Sequence, residues 1–580
     1  MKKLKNGTEH TVEEVALRNL GVSSTDDINK WFQKSYAGDY RIDGLEKAVD
    51  MIRNGGWERI QVVGDYDVDG TTATAQFRLC LKKLGYPVYD RIPRRFSEGF
   101  GMNPSIVGEI PDGKTLIITC DNGIAAFDAV ALAKKRGFTV IVTDHHLPVV
   151  ENGTVKLPDA DLIIDPNAIP GSADFNGYCG SGLAYRLLKL LVETEEKNAE
   201  PGSAEARDLR ALRLIIEPLA MMGTIGDVVT LREENYVIAR NGLSKLAKRC
   251  ASHGMVALHD KLWIVNPTAS DIGYKSGPCV NANGRLTDDG ASKSVDLLAS
   301  MDYIEAARIA DETIAANNSR KEQVSSAMMM AEEYIAANHA ENDLPMFVVL
   351  PHTNGGIIGI VAGKLAEKYG VPVFAFTESG SYLKGSGRSI PGVDLKSLLD
   401  EHSDLIVKYG GHEGAAGLTV EKAKLTELHD KTNSYAKEHG IERLHVDELR
   451  YDLEIDAADI KKYLDETLRF GPFGEGNDPI VFKINHFRLV PNPDGKLKTY
   501  IGSSGIKISS DYGQAISFSL ADRLSQSKAI ALTLYGTLSY SYFKGEATPQ
   551  VEMIDFDEEL PEREETPLMQ ALRRKAAEGH

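Results

Sequence analysis

Cysteine is scarce in this chain and widely scattered. Cys80, Cys120, Cys179, Cys250 and Cys279 are odd in number, and no Cys-x-x-Cys pair occurs. So neither a disulfide framework nor a zinc site is suggested, and ordinary thiols in a reducing compartment fit. Long apolar runs are missing too. No stretch of eighteen apolar residues occurs, so no membrane span is expected. The start, Met1-Lys2-Lys3-Leu4-Lys5, is basic but lacks the apolar core of a signal peptide, and the expectation is a cytoplasmic protein. Positive charge is in deficit, with 66 Lys and Arg against 84 Asp and Glu and a formal net charge of −18. On its face this argues against nucleic acid, because a DNA-binding domain is usually basic overall. It does not exclude an acidic protein whose groove carries arginines and metal ions, because binding follows the local field. Glycine and proline are absent from Ala291 to Leu344. Ala, Glu, Ile and Met recur there at helical spacing, which predicts a helix from Tyr303 to about Asn338, about 50 Å long, as a spacer between domains.

What is present is a set of four polar clusters, each directly after a short β-branched apolar run. They are Gly64-Asp65-Tyr66-Asp67-Val68-Asp69-Gly70, Thr119-Cys120-Asp121-Asn122-Gly123, Thr143-Asp144-His145-His146 and Ile164-Asp165-Pro166-Asn167. The runs Ile60–Val63, Leu116–Ile118, Val140–Val142 and Leu162–Ile164 are apolar on both faces, which predicts buried parallel strands. Their carboxyl ends converge on one edge of an open α/β sheet, where ligands bind. Residues a hundred positions apart can therefore share a pocket. Aspartates with one or two histidines and no thiolate suit Mn²⁺ or Mg²⁺. Two such ions close together form a device for cleaving phosphate esters.

A length of 580 residues predicts several domains. Residues 1–43 read as a small helical lead-in. Residues 44–235 read as the catalytic α/β domain, with crossover helices at Gln76–Leu84, Phe127–Lys135 and Leu183–Glu193. Glu195–Arg207 reads as an exposed loop, and Leu212–Met222 as a helix that delivers Asp227. Residues 236–344 form the linker with the long helix, and residues 345–442 a second, smaller α/β domain. Residues 443–556 show short strands separated by turn residues, consistent with an OB-fold barrel. Its Tyr500, Tyr540, Tyr542, Phe543, Lys496, Lys498, Lys507 and Lys544 mix aromatics with lysines, as surfaces that hold single strands do. Residues 557–580 read as a charged, solvated tail.

Asp67 and Asp69 stand two apart on a turn tightened by Gly70, and both can face one pocket as metal ligands. A helix-capping role alone would explain the pair, but not the clusters beside it. Asp121 is the candidate carboxylate bridging two ions. Asp227, in the apolar stretch Gly223–Val229, needs a cation or donors if buried. Asp165 reads as a turn residue. Gly385-Ser386-Gly387-Arg388 offers backbone, hydroxyl and guanidinium to a phosphate, and Gly410-Gly411-His412 adds an imidazole.

Asp-Tyr-Asp-x-Asp-Gly, Asp-Asn-Gly and Asp-His-His, in that order, resemble the DHH phosphoesterase superfamily. Gly223-Thr224-Ile225-Gly226-Asp227, Asn281-Ala282-Asn283-Gly284-Arg285-Leu286, Lys384-Gly385-Ser386-Gly387-Arg388 and Tyr409-Gly410-Gly411-His412 narrow this to the RecJ family, from about Gly44 to about Phe556. The resemblance implies a parallel-sheet DHH catalytic domain, a long helical connector, a DHH-associated α/β domain and a C-terminal OB-fold. It implies a 5′→3′ exonuclease on single-stranded DNA in repair and recombination, using two Mn²⁺ or Mg²⁺ ions. A single-stranded-DNA-binding protein and a repair helicase are the implied protein partners. It places Asp67, Asp69, Asp121, His145 and Asp227 on the metals, with His146, Asp65 and Asp144 as catalytic residues beside them. It places Arg95, Arg285, Ser386, Arg388 and His412 on the DNA. Two other functions compete: a DHH phosphodiesterase for cyclic dinucleotides or very short RNA, and a non-catalytic DHH scaffold. The barrel argues against the first, and the intact carboxylates against the second. One departure stands out: Asn354 occupies the place of a family histidine.

Overall fold

The computed structural model describes residues 2–151, 153–444, 448–493, 495–502, 505–543 and 545–559. They fall into two compact units, residues 28–446 and residues 1–27 with 447–580.

The larger unit is built on the apolar runs read above. Arg59–Val63, Val88–Arg91, Thr115–Cys120, Thr139–Thr143 and Leu162–Ile164 form a five-stranded sheet. All neighbours are parallel, and the first strand lies between the second and third. Ile60, Val62, Ile117, Ile118, Val140 and Ile141 are fully buried, as a sheet covered on both faces requires, each contributing about 1.5–3 kcal/mol. Helices Val68–Lys83, Phe127–Lys135 and Gly180–Asn198 pack around it.

Glu195–Arg207, expected to be an exposed loop, is mostly helical: one helix runs on to Asn198, and the next spans Ala204–Gly226 with Pro218 inside it. Ser203 starts the second helix by accepting the Ala206 amide at 3.0 Å, so a polar, charged composition here marks an exposed helix surface and not irregular chain.

The glycine-free stretch is a 36-residue helix, Tyr303–Asn338. Its first turns pack through Ala306 and Ala310 on the catalytic core, and its last through Val324, Ala327 and Ala331 on a second core. That second core belongs to a sheet ordered Lys408–Gly411, Ala415–Glu421, Tyr382–Arg388, Val373–Ser379, Met346–Val349. The helix Ile358–Tyr369 covers it.

The smaller unit carries a seven-stranded sheet. Its strands include two of 13 residues, Ala531–Phe543 and Glu546–Glu558, longer than the short strands expected. A register shift between Tyr535 and Gly536 lets one long strand bend and serve two neighbours. The chain start also differs from a purely helical lead-in: Lys2–Lys5 is a strand pairing in parallel with Glu448–Tyr451. Lys544, the Phe543 side chain and the tail from residue 560 lie outside the described residues.

Candidate active site

Asp65, Asp67 and Asp69 leave the strand Arg59–Val63 on the turn into the helix Val68–Lys83. Asp67 caps that helix: its Oδ1 accepts the amides of Asp69 at 2.9 Å and Gly70 at 3.0 Å. Asp69 lies inside the first turn, fully buried. It meets the start of another helix, where its two oxygens accept the amides of Gly180 at 2.6 Å and Ser181 at 2.8 Å. A Cβ at position 180 would stand 2.4 Å from that of Asp121, so only glycine lets this helix start so close. Two helix N-termini, each favouring negative charge, thus hold the first carboxylates.

Asp121 follows Thr115–Cys120 in the left-handed region, at φ 64°. Such a backbone costs about 1–3 kcal/mol in a residue with a side chain. Asn122 offsets that cost: its Nδ2 donates to Val63 O and Cys120 O, both at 3.0 Å, and its Oδ1 accepts the Met102 amide at 2.9 Å. The turn is thereby tied to the neighbouring strand end.

Asp144 organises the histidines. One oxygen accepts the Ile124 amide at 2.9 Å; the other accepts the His145 amide at 2.8 Å and meets His146 Nδ1 at 2.7 Å. The His145 Nε2 stands 3.1 Å from Asp121, 3.7 Å from Asp69 and 3.7 Å from Asp227. Asp227 ends the helix Ala204–Gly226. Ligand atoms gather in three groups, each within 4.8 Å: Asp65, Asp67 and Asp121; Asp69, His145 and Asp227; Asp121, His145 and His146. Asp121 and His145 each belong to two.

The charges do not balance by themselves. Burial and the neighbouring aspartates hold the Asp121 and Asp65 carboxyls well above the usual range. Burial, then Asp69 and Asp67, push Asp227 up to about 9. Asp65 Oδ1 is buried without a hydrogen-bond partner. Like charges around an orphaned oxygen call for a cation, and the oxygen-rich donor set fits Mn²⁺ or Mg²⁺. Burial lowers the His145 pKa and keeps the ring in its neutral, ligating form. Burial opposes charge on His146 as well, but the hydrogen bond and charge of Asp144, with Asp227 and Asp67, raise it to about 9. Asp165 stays a turn residue, its Oδ1 accepting the Asn167 and Ala168 amides at 2.9 and 3.0 Å.

Arg95 lies over the Tyr66 ring at 4.4 Å; Tyr66 meets Phe100 at 6.4 Å, and Phe100 meets His146 at 5.4 Å. This aromatic wall was not read from the sequence, because loop aromatics have no periodicity. Its available signal was position: Tyr66 between two site aspartates, and Phe100 between two glycines.

Arg285, at the end of the helix Gly277–Leu286, donates to Gly356 O at 3.2 Å. Arg388 donates to Ser386 Oγ at 3.2 Å. A Cβ on Gly359 would stand 2.9 Å from both the Arg388 Nη2 and the Ser386 Oγ, so the pair faces the N-terminus of the helix Ile358–Tyr369. Asn354 accepts the Gly356 amide at 2.8 Å and caps the turn into that helix. Burial, then Arg95 and other arginines, lower Arg285 to about 10; burial and Arg95 also lower Arg388. Among the described residues, none of Arg95, Arg285 and Arg388 has a carboxylate within ion-pair distance, unlike Arg91 and Arg94 nearby. His412 lies on the neighbouring hairpin, where its amide donates to Ala415 O and Ala415 pairs with Arg388. It is exposed on the hairpin beside Ser389, and its Nδ1 accepts the Gly414 amide at 3.2 Å.

Comparison with known proteins identifies the family. Residues 59–212 match the DHH family N-terminal domain, 344–438 the DHHA1 domain and 451–555 the RecJ OB domain. The single-stranded-DNA-specific exonuclease RecJ of Salmonella typhimurium is 36% identical over 464 residues, covering 75% of this chain and 76% of that protein. That of Escherichia coli is 34% identical over 479 residues, covering 78% and 79%. The fold is similar to the crystal structure of RecJ in complex with Mn²⁺ from Thermus thermophilus, with a TM-score of 0.70, 24% identity and coverage of 90% of this chain and 72% of that one. No helix among the described residues is long and apolar enough to cross a membrane. With a parallel sheet that gathers its aspartates and histidines at one edge, and three matched domains in order, this chain belongs to the RecJ family.

Proposed function

We propose that this chain is a metal-dependent 5′→3′ exonuclease that hydrolyses single-stranded DNA in repair and recombination. One observation carries the reading. A carboxylate and histidine pocket in need of cations lies near Arg285, which with Arg95 and Arg388 has no carboxylate within ion-pair distance among the described residues. Two Mn²⁺ or Mg²⁺ ions, when bound, supply an activated water and stabilise charge at phosphorus. Asp67, Asp69, Asp121, His145 and Asp227 would hold them, with Asp121 shared between them and Asp65 as a further donor.

The residues around the ions do the rest. Asp144 fixes both imidazoles, and His146, cationic near neutral pH, faces the reacting phosphate as a donor to its oxygens. Ser386, Arg388 and Arg285 grip a phosphate at the N-terminus of the helix Ile358–Tyr369. A phosphate grip held in a fixed place relative to the carboxylate pocket would make cleavage start at a strand end. Arg95 and His412 would add further contacts to the strand. The OB domain adds length of grip that a cyclic dinucleotide has no use for. A cytoplasmic location follows, with a single-stranded-DNA-binding protein and a repair helicase as the partners that would present such strands.

The test compares 5′-labelled and 3′-labelled single strands with Mn²⁺ and with EDTA. Release of label from the 5′ end first, abolished by EDTA, is expected; release from the 3′ end first would reverse the assigned polarity.

A further inference from the structure

One peptide group joins His145 to His146, and it is held on both edges. Its N–H, the amide of His146, donates to Asp144 Oδ1 at 3.2 Å. Its C=O, the carbonyl of His145, accepts from Asn167 Nδ2 at 2.5 Å. The first contact lies within the Asp-His-His run. The second comes from another strand end, 22 residues further along the chain.

The chain on either side of this peptide gives it little other support. The strand Thr139–Thr143 ends just before it, and the Asp144 amide still donates to Ile164 O at 3.1 Å. After His146 the chain leaves through the exposed Leu147 to the hairpin Val149–Glu151 with Thr154–Lys156. Among the described residues those two strands pair only with each other. Asn167, in contrast, is firmly placed. Asp165 Oδ1 accepts its amide at 2.9 Å and that of Ala168 at 3.0 Å, and Asp165 O accepts the Ile169 amide at 3.1 Å. Asp165 and Pro166 are buried. This turn follows directly on the edge strand Leu162–Ile164, which pairs with Thr139–Thr143. The edge strand therefore carries Asn167 to the end of the strand that presents the histidines.

A peptide group is rigid, so only the dihedrals on either side of it can change. Turning it would swing both imidazoles. The two rings stand 4.5 Å apart and tilted by 50°. His145 Nε2 lies toward Asp121, Asp69 and Asp227, while His146 Nδ1 meets Asp144. Neighbouring side chains on extended backbone diverge, and the plane between them sets where each one points.

We propose that Asn167 is a positioning residue for the metal pocket: its side-chain amide holds the His145–His146 peptide so that the His145 ring points among the aspartates. Asp165 acts through it by shaping the turn. This rests on the metal reading above. Asn167 touches the backbone of a ligand and no reacting atom.

The test uses the full-length protein. Melting temperature is measured in EDTA and over a Mn²⁺ series, turnover of a thirty-mer over the same series, and thirty-mer affinity in EDTA. N167L keeps much of the side-chain shape and lacks the donor; N167A lacks both. Each should raise the Mn²⁺ concentration for half-maximal turnover by about tenfold, as loss of a group that holds a metal ligand does. Each should also shrink the Mn²⁺-dependent rise in melting temperature and leave thirty-mer affinity in EDTA unchanged. D165A should move the Mn²⁺ requirement the same way by less. N167S keeps a donor hydroxyl and should recover part of the Mn²⁺ response, which also decides the matter if N167A melts early. Early melting in EDTA with an unchanged Mn²⁺ requirement would show a purely structural role and overturn the proposal. A wild-type Mn²⁺ requirement in N167A and N167L, while H145A loses its Mn²⁺ response, would overturn the proposal and leave the metal reading standing. A wild-type Mn²⁺ response in H145A as well would overturn the metal reading itself.

Discussion

At the scale of single residues, the metal pocket is a set of carboxylates that repel one another until a cation joins them. Asp121 belongs to two ligand groups and feels Asp69, Asp67, Asp65 and Asp227. Asp121→Ala is expected to lower turnover by orders of magnitude at saturating Mn²⁺, because the ions supply both nucleophile and charge stabilisation. In EDTA, Asp121→Asn should melt above the wild type, since one buried charge is gone. A variant that cleaves normally would remove Asp121 from the site. A pH effect follows as well. The Asp227 pKa rises from 3.8 to about 9. A raised folded pKa gives stability that is full below 3.8 and lost as pH rises through about 9. The metal-free protein should therefore lose stability across this window, and the Mn²⁺ stabilisation should grow with pH. Melting temperatures with EDTA and with Mn²⁺ from pH 5 to 9 measure the difference, and a constant gap would contradict it. The aspartates and histidines were legible in the sequence because few other roles place carboxylates directly after buried strands. Tyr66 and Phe100 were not, because their significance comes from neighbours distant in sequence.

At the scale of elements, strands and long helices were legible and helix starts were not. The catalytic strands follow from runs of Val and Ile, and the 36-residue helix from a stretch without breakers. The helix after the first strand begins at Val68, earlier than its Asp-rich sequence suggests, because Asp67 caps it and Asp69 is stabilised by a second helix start. That second start depends on Gly180. Its missing Cβ would otherwise lie 2.4 Å from the Cβ of Asp121 and 2.7 Å from its Cα. Backbone and Cβ atoms cannot rotate away, so Gly180→Ala must push the helix or Asp121 aside. The expected result is a folded protein with a much smaller Mn²⁺-dependent rise in melting temperature and at least a hundredfold lower turnover, since misplacement by about 1 Å costs that much. A wild-type metal response in that variant would show that the helix start tolerates displacement.

At the scale of the whole molecule, a net charge of −18 is compatible with nucleic-acid chemistry because the arginines proposed to grip the strand are few and local. The smaller unit could be only partly foreseen. Its barrel strands show in composition, but the pairing of Lys2–Lys5 with Glu448–Tyr451 joins segments more than four hundred residues apart, and no local pattern announces such a partner. The pairing changes how a truncation must be designed: removing only the residues after Arg443 would strand Lys2–Lys5 without its neighbour. Tyr500, Phe518 and Tyr542 are exposed on this unit, whereas Lys498 donates to Leu524 O at 2.7 Å and Tyr540 to Asp465 at 2.6 Å. The exposed rings are therefore better placed to stack bases than Tyr540, and Lys498 is already engaged. A protein lacking both residues 1–27 and residues 447–580 should keep its metal site and its Mn²⁺-dependent melting shift. It should cleave a tetranucleotide at near the full-length rate while its affinity for a thirty-mer falls, with each lost stack costing about 1–3 kcal/mol. Turnover and half-saturation for the two substrates, truncated against full length, separate grip from chemistry. Equal loss on both would mean that the smaller unit supports the catalytic core, and the exposed rings would then have no role in holding the strand.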